Sequence, residues 1–112
     1  MELSSRIEGR NVLVVQCHAD RLDASNVVEF KALMQNTTAG AARVVLDLAA
    51  VRFVDSSGMG MLVAVLRELG GRRCEMRLCH LAPAVRSLFD LMRMNRVFSI
   101  FDSCDVAVQS YT

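Results

Sequence analysis

Between Val44 and Leu66 an apolar strand-like run gives way to Asp55-Ser56-Ser57-Gly58, and an apolar helical run follows at once. A strand that delivers the chain straight into an apolar helix calls for a fold in which helices pack back onto a sheet. The junction also sets two hydroxyls and a carboxylate at the mouth of a helix. Backbone N–H groups there lack internal partners, and the helix dipole is positive. A serine at that point is a natural cap, and a phosphate added to it would lie in a favourable field. The segment reads as a scaffold suited to a phosphoserine.

The remaining pattern extends this alternation. Residues 3–8 suit a short edge strand turning at Gly9-Arg10-Asn11, and Val12 to Cys17 is a β-branched run expected as a buried strand. Asp23-Ala24-Ser25 offers caps for a helix over about 24–36, with Val27, Phe30 and Met34 on one face. Val44 to Leu48 is a second buried strand, and Arg52 to Val54 is a short extended piece leading to the serines. The helix from about Ser57 to Leu69 is expected to stop at Gly70-Gly71. Glu75 to Cys79 alternates as a strand, and Pro83 opens a third helix with Val85, Leu88, Phe89 and Met92 on one stripe. Val97 to Phe101 is a final strand, and the tail after Asp102 fits either coil or helix. The fold class is therefore α/β, a mainly parallel mixed sheet of 4–5 strands with helices packed against it. Crossovers are right-handed by default, and the strand ends carrying Asp23 and Ser57 are expected on one rim of the sheet, where open α/β folds place their sites.

With 112 residues the chain reads as one domain over 1–112, able to bury roughly 65% of its unfolded surface. Hydrophobic residues at 53% and charged residues at 22% place it among globular chains rather than disordered ones. A net charge of +1 gives no reason to expect nucleic acid or an anionic membrane as a partner. No apolar run reaches the roughly 20 residues that cross a bilayer, and the N-terminus lacks a signal pattern. A cytoplasmic location with all four cysteines reduced is the expectation.

Asp55-Ser56-Ser57-Gly58-Met59-Gly60 between strand and helix, Gly70-Gly71, Pro83-Ala84-Val85-Arg86-Ser87-Leu88-Phe89-Asp90 and Val97-Phe98-Ser99-Ile100-Phe101 together resemble a STAS domain. More narrowly, the chain resembles the bacterial anti-sigma factor antagonists, over essentially its whole length. Leu22-Asp23 before the first helix and Ala82-Pro83 before the third support the likeness. The resemblance implies a phosphoprotein that works by partner switching in transcription regulation. Unphosphorylated, such a protein binds an anti-sigma factor with serine kinase activity. Phosphorylation of the serine before the glycine, here Ser57, releases it, and a serine phosphatase resets the cycle. Asp23 matches the family's acidic loop residue beside that serine. The family often has glycine and glutamate shortly before the Leu-Asp pair, where this chain has Asp20-Arg21. After the third helix Arg93-Met94 stands where many members have Gly-Leu, so that turn must form without glycine.

Each motif also has a plainer reading. Ser57 is equally placed to be an unmodified helix cap. Ser56 is expected to bond locally to backbone, and Asp55 to position and cap rather than to act as a base. Gly58 and Gly60 leave the first turn bare, either for a partner's approach or for close packing within the fold. The helix is apolar almost all round. Met59, Leu62, Val63, Leu66 and Leu69 are assigned to the core, leaving Gly60, Met61, Ala64 and Val65 as a partner-binding face, with weak homodimer formation through the same helix as an alternative. Cys17-His18 and Cys79-His80 lack zinc-site spacing, so neither metal nor cofactor is expected. No nucleophile–base set, G-x-S-x-G elbow, P-loop or dinucleotide fingerprint is present, which argues against an enzyme. The competing function is a constitutive accessory subunit of a lipid-transport ABC system, without a phosphate switch.

Overall fold

The computed structural model describes residues 1–111. β1 (Leu3–Glu8) and β2 (Val12–Cys17) form a hairpin whose turn uses left-handed backbone at Gly9 and Asn11. β3 (Arg21–Leu22) leads to α1 (Val27–Thr37), then β4 (Arg43–Asp47), β5 (Phe53–Val54) and α2 (Ser56–Gly71). β6 (Glu75–Cys79), α3 (Pro83–Leu91), β7 (Ile100–Phe101) and α4 (Cys104–Gln109) complete the chain. The main sheet runs β1-β2-β4-β6-β7, antiparallel only between β1 and β2, and β3 pairs with β5 in a separate parallel ribbon.

Alternation along the strands divides the core in two. Val15, Cys17, Val44, Leu46, Met76 and Leu78 face the larger layer, built with residues of α1, α2 and α3 such as Phe30, Met34, Leu62, Leu69 and Phe89. Val12, Val14, Val45 and Cys79 face the other side, where the Cys104, Ala107 and Val108 side of α4 covers them. No helix among the described residues is long and apolar enough to cross a membrane.

Several boundaries differ from the sequence reading. α1 begins at Val27 rather than near residue 24, because Asp23 and Ser25 form a turn of their own and Asn26 becomes the N-cap residue. α2 continues through Gly70 and Gly71, and the left-handed residue that ends it is Arg73 (φ 59°). The last strand shrinks to Ile100–Phe101, since Met94–Arg96 form a 3-10 turn entered through left-handed Arg93 (φ 58°). That turn forms without glycine, and Cys104–Gln109 of the tail is helical. Cys79 and Cys104 are joined as a disulfide, against the expectation of four reduced thiols. The β6–β7 pairing brings their Cα atoms within 5.3 Å, a separation that a disulfide spans. Cys17 and Cys74 are free and buried.

Candidate functional site

The β3–β5 ribbon builds the site. Its register sets Leu22 opposite Val54, so the chain leaves both strands side by side, one into Asp23 and the other into Asp55. The backbones are tied further by Asp55 N–H donating to Leu22 O at 3.3 Å and Arg52 N–H donating to Asp20 O at 2.7 Å. Asp23 and the Asp55–Ser57 segment thus share one rim as expected, but it is the rim of the separate β3–β5 ribbon rather than of the main sheet.

Gly58 explains how closely α2 meets this ribbon. A Cβ on Gly58 would lie 2.1 Å from Leu22 O and 2.8 Å from Leu22 C, both backbone atoms. Only glycine permits that approach, so its bare backbone serves packing within the fold. Gly60 is the opposite case: exposed, with nothing within 4 Å of a Cβ built there.

Asp55 takes the capping role. It is the N-cap of α2 in extended backbone, and its carboxylate accepts from Gly58 N–H at 2.9 Å. The helix starts one residue earlier than expected, so Ser56 and Ser57 occupy its first two positions and neither is the cap. Both are exposed, and the Ser57 hydroxyl makes no hydrogen bond among the described residues. The local backbone bond expected for Ser56 is likewise not formed. The amides of these two residues lie in the turn that has no intrahelical acceptor, which leaves donors available to a phosphate on either hydroxyl.

Asp23 is held by its own turn. Its Oδ1 accepts from Ser25 N–H at 3.0 Å and from the Ser25 hydroxyl, and Arg21 approaches its Oδ2 at 3.5 Å. The Ser25 hydroxyl bond is the main cause that holds this carboxyl below the ordinary carboxylate range, with the Ser25 amide and Arg21 adding to it. Phe53, 50% exposed at the start of β5, was not singled out from sequence, yet it stands at this rim with the Arg21 guanidinium 5.8 Å from its ring centre. Alternation marks it: Val54 is buried, so its neighbour must face out.

The α2 face proposed for a partner needs correction. Met61 (7% exposed) and Val65 (3%) are part of the core and cannot meet a partner. The buried arc spans Gly58, Met59, Met61, Leu62, Val65 and Leu69, wider than one stripe, because α2 packs against the sheet and α1 together. Val63 and Leu66, assigned to the core, are only half-buried. Of the four candidates, Gly60 remains exposed and Ala64 half-exposed, in line with Ser57 at helical spacing.

Comparison with known proteins adds to this geometry. A family model of the STAS domain matches residues 6–107. BtrV of Bordetella bronchiseptica, named as an anti-sigma factor antagonist, is 26% identical over 100 residues, covering 88% of this chain and 86% of BtrV. An anti-sigma-factor antagonist domain protein from Planctomyces limnophilus superposes with a TM-score of 0.82 at 21% identity, over 98% of this chain and 97% of that one. SpoIIAA from Bacillus, in its phosphorylated form, gives a TM-score of 0.68 at 18% identity, over 99% of this chain and 100% of that one.

Proposed function

The chain belongs to the STAS domain family, and from that premise we propose that it is an anti-sigma factor antagonist switched by phosphorylation of Ser57. In this reading the unphosphorylated protein binds a cytoplasmic anti-sigma factor that is also a serine kinase. The kinase modifies Ser57, the complex parts, and a serine phosphatase restores the binding form. The protein is then a substrate of catalysis and not an enzyme. The observation that carries the reading is the exposed, unbonded Ser57 hydroxyl in the first turn of α2, beside Asp23 and Asp55. The solved phosphorylated form of SpoIIAA, which shares the fold, supports it.

The mechanism is electrostatic. A phosphoserine adds about −1.5 to −2 charges at neutral pH. Within the domain, the open amides and dipole of α2 accommodate that charge, so the fold need not change. A partner packed over Ser57, Gly60 and Ala64 would have to desolvate it next to existing carboxylates. A loss of about 3 kcal/mol weakens binding more than a hundredfold. The switch therefore acts at the interface.

Affinity capture from the host with wild type, Ser57→Ala and Ser57→Asp as baits tests this. Wild type and the alanine variant should retain a serine kinase of the anti-sigma type, and the aspartate variant should not. Incubation with that kinase should label wild type and Ser56→Ala but not Ser57→Ala. Equal capture of a transporter ATPase by all three baits would overturn the reading.

A further inference from the structure

On the α4 side of the sheet, the ends of β4 and β6 meet the start of α4, independently of the Ser57 site. Asp47, Cys79, His80 and Cys104 each direct a metal-ligating atom to that point, and these atoms all lie within 4.8 Å of one another. Asp47, Cys79 and Cys104 are buried, while His80 is partly exposed and opens the cluster to solvent. Adjacent strand residues normally point to opposite faces, which is why a Cys-His pair in sequence argues against shared ligation. His80 escapes that rule by adopting left-handed backbone (φ 59°), which turns its ring toward the sulfurs. Its Nδ1 lies 3.3 Å from Asp47 Oδ1 and 3.6 Å from Cys104 Sγ.

Those two separations match edges of a small tetrahedron. Zinc bonds of about 2.0–2.3 Å place ligand atoms about 3.3–3.8 Å apart. We infer that, with Cys79 and Cys104 reduced, Asp47, Cys79, His80 and Cys104 form a closed tetrahedral site for Zn²⁺. The sulfur pair, covalently joined in this structure, must part for both thiolates to bind. Reduction by an external dithiol delivers two electrons and two protons to the disulfide and becomes a disulfide itself. Zn²⁺ then displaces the two thiol protons to solvent as the thiolates bind. Zinc and disulfide are thus alternative closures of the same pair.

The donor set selects the metal. Two thiolates and an imidazole disfavour Mg²⁺ and Ca²⁺, which require oxygen ligands. Four protein ligands leave no open coordination position, so the ion would be structural. The supports are in place: Ala49 N–H donates to Asp47 Oδ1 at 2.9 Å, Leu48 N–H to Cys79 O at 3.1 Å, and His80 N–H to Phe101 O at 3.3 Å. The first holds the Asp47 carboxylate itself, as outer bonds to metal ligands do, and the other two fix the backbone from which Cys79 and His80 project.

The test is titration of the full chain, stripped of metal and reduced with a phosphine, first with Co²⁺ and then with Zn²⁺. One equivalent of cobalt should give the visible bands of a tetrahedral complex and a thiolate charge-transfer band, both removed by zinc. The Cys79→Ser/Cys104→Ser double variant should lose the spectrum, and His80→Ala should bind zinc more than about tenfold more weakly. His80 is partly exposed, so this second variant keeps the test valid should the double variant not fold. Reduced, folded wild type without the tetrahedral spectrum would overturn the inference. So would an unchanged spectrum in the folded double variant, or unchanged zinc affinity in His80→Ala.

Discussion

Gly58 and Gly60 lie in neighbouring positions of α2 under opposite demands. At Gly58 an added methyl meets the Leu22 carbonyl, which is fixed by its hydrogen bond from Asp55 N–H. Gly58→Ala should therefore destabilise the protein by roughly 1–3 kcal/mol in denaturant unfolding, as overpacking against rigid neighbours does. Gly60→Ala meets nothing, and should stabilise by about 0.5–1 kcal/mol through helix propensity. Weaker anti-sigma factor binding by this more stable variant would mark Gly60 as contact surface. Asp23 gives the residue scale a pH signature. Its folded-state pKa is lowered, chiefly by the Ser25 hydroxyl, so its contribution to stability is present above the ordinary carboxylate pKa and is lost as pH falls through the lowered value. Ser25→Ala should raise that pKa toward the ordinary range and reduce the acid-side loss. NMR titration of the Asp23 carboxyl checks this, and an unmoved midpoint would refute the assigned cause.

At the scale of elements, the cap of α2 is a carboxylate and the hydroxyls beside it are free. Asp55→Ala should cost about 1 kcal/mol, a fall in Tm of roughly 4–8 °C for a domain near this size. Ser56→Ala and Ser57→Ala should leave Tm nearly unchanged. Thermal unfolding of the three variants separates capping from modification, and equal losses in all three would contradict the division of labour. That division suits a switch, because the helix terminus does not need the hydroxyl that would carry the phosphate.

At the scale of the whole molecule, α2 is apolar almost all round because it is held between the sheet and α1. Met61→Ala should thus behave as a core truncation, costing about 2–5 kcal/mol in unfolding experiments, with partner affinity unchanged under conditions where the variant is folded. Reduced binding without reduced stability would restore Met61 to the surface. The same three-dimensional closure joins β4, β6 and α4 at Asp47, Cys79, His80 and Cys104.

The sequence by itself determined the order of strands and helices from β1 to β7 apart from the two-residue β3, the strand-to-helix junction at Asp55–Gly58 and its closeness to Asp23. Those features rest on local periodicity and turn chemistry, which neighbouring residues carry. It also marked Asp55 as a capping carboxylate, while leaving the role of Gly58 open between packing and access. Only tertiary structure resolved that choice, because the Leu22 carbonyl that excludes a side chain comes from a different strand. It likewise decided which side of α2 is buried: the wheel of an over-apolar helix does not say how many neighbours it has. The convergence of Cys79 and His80 with Asp47 and Cys104 was invisible for the same reason. It depends on strand pairing across distant residues and on one left-handed backbone at His80 that reverses the expected alternation.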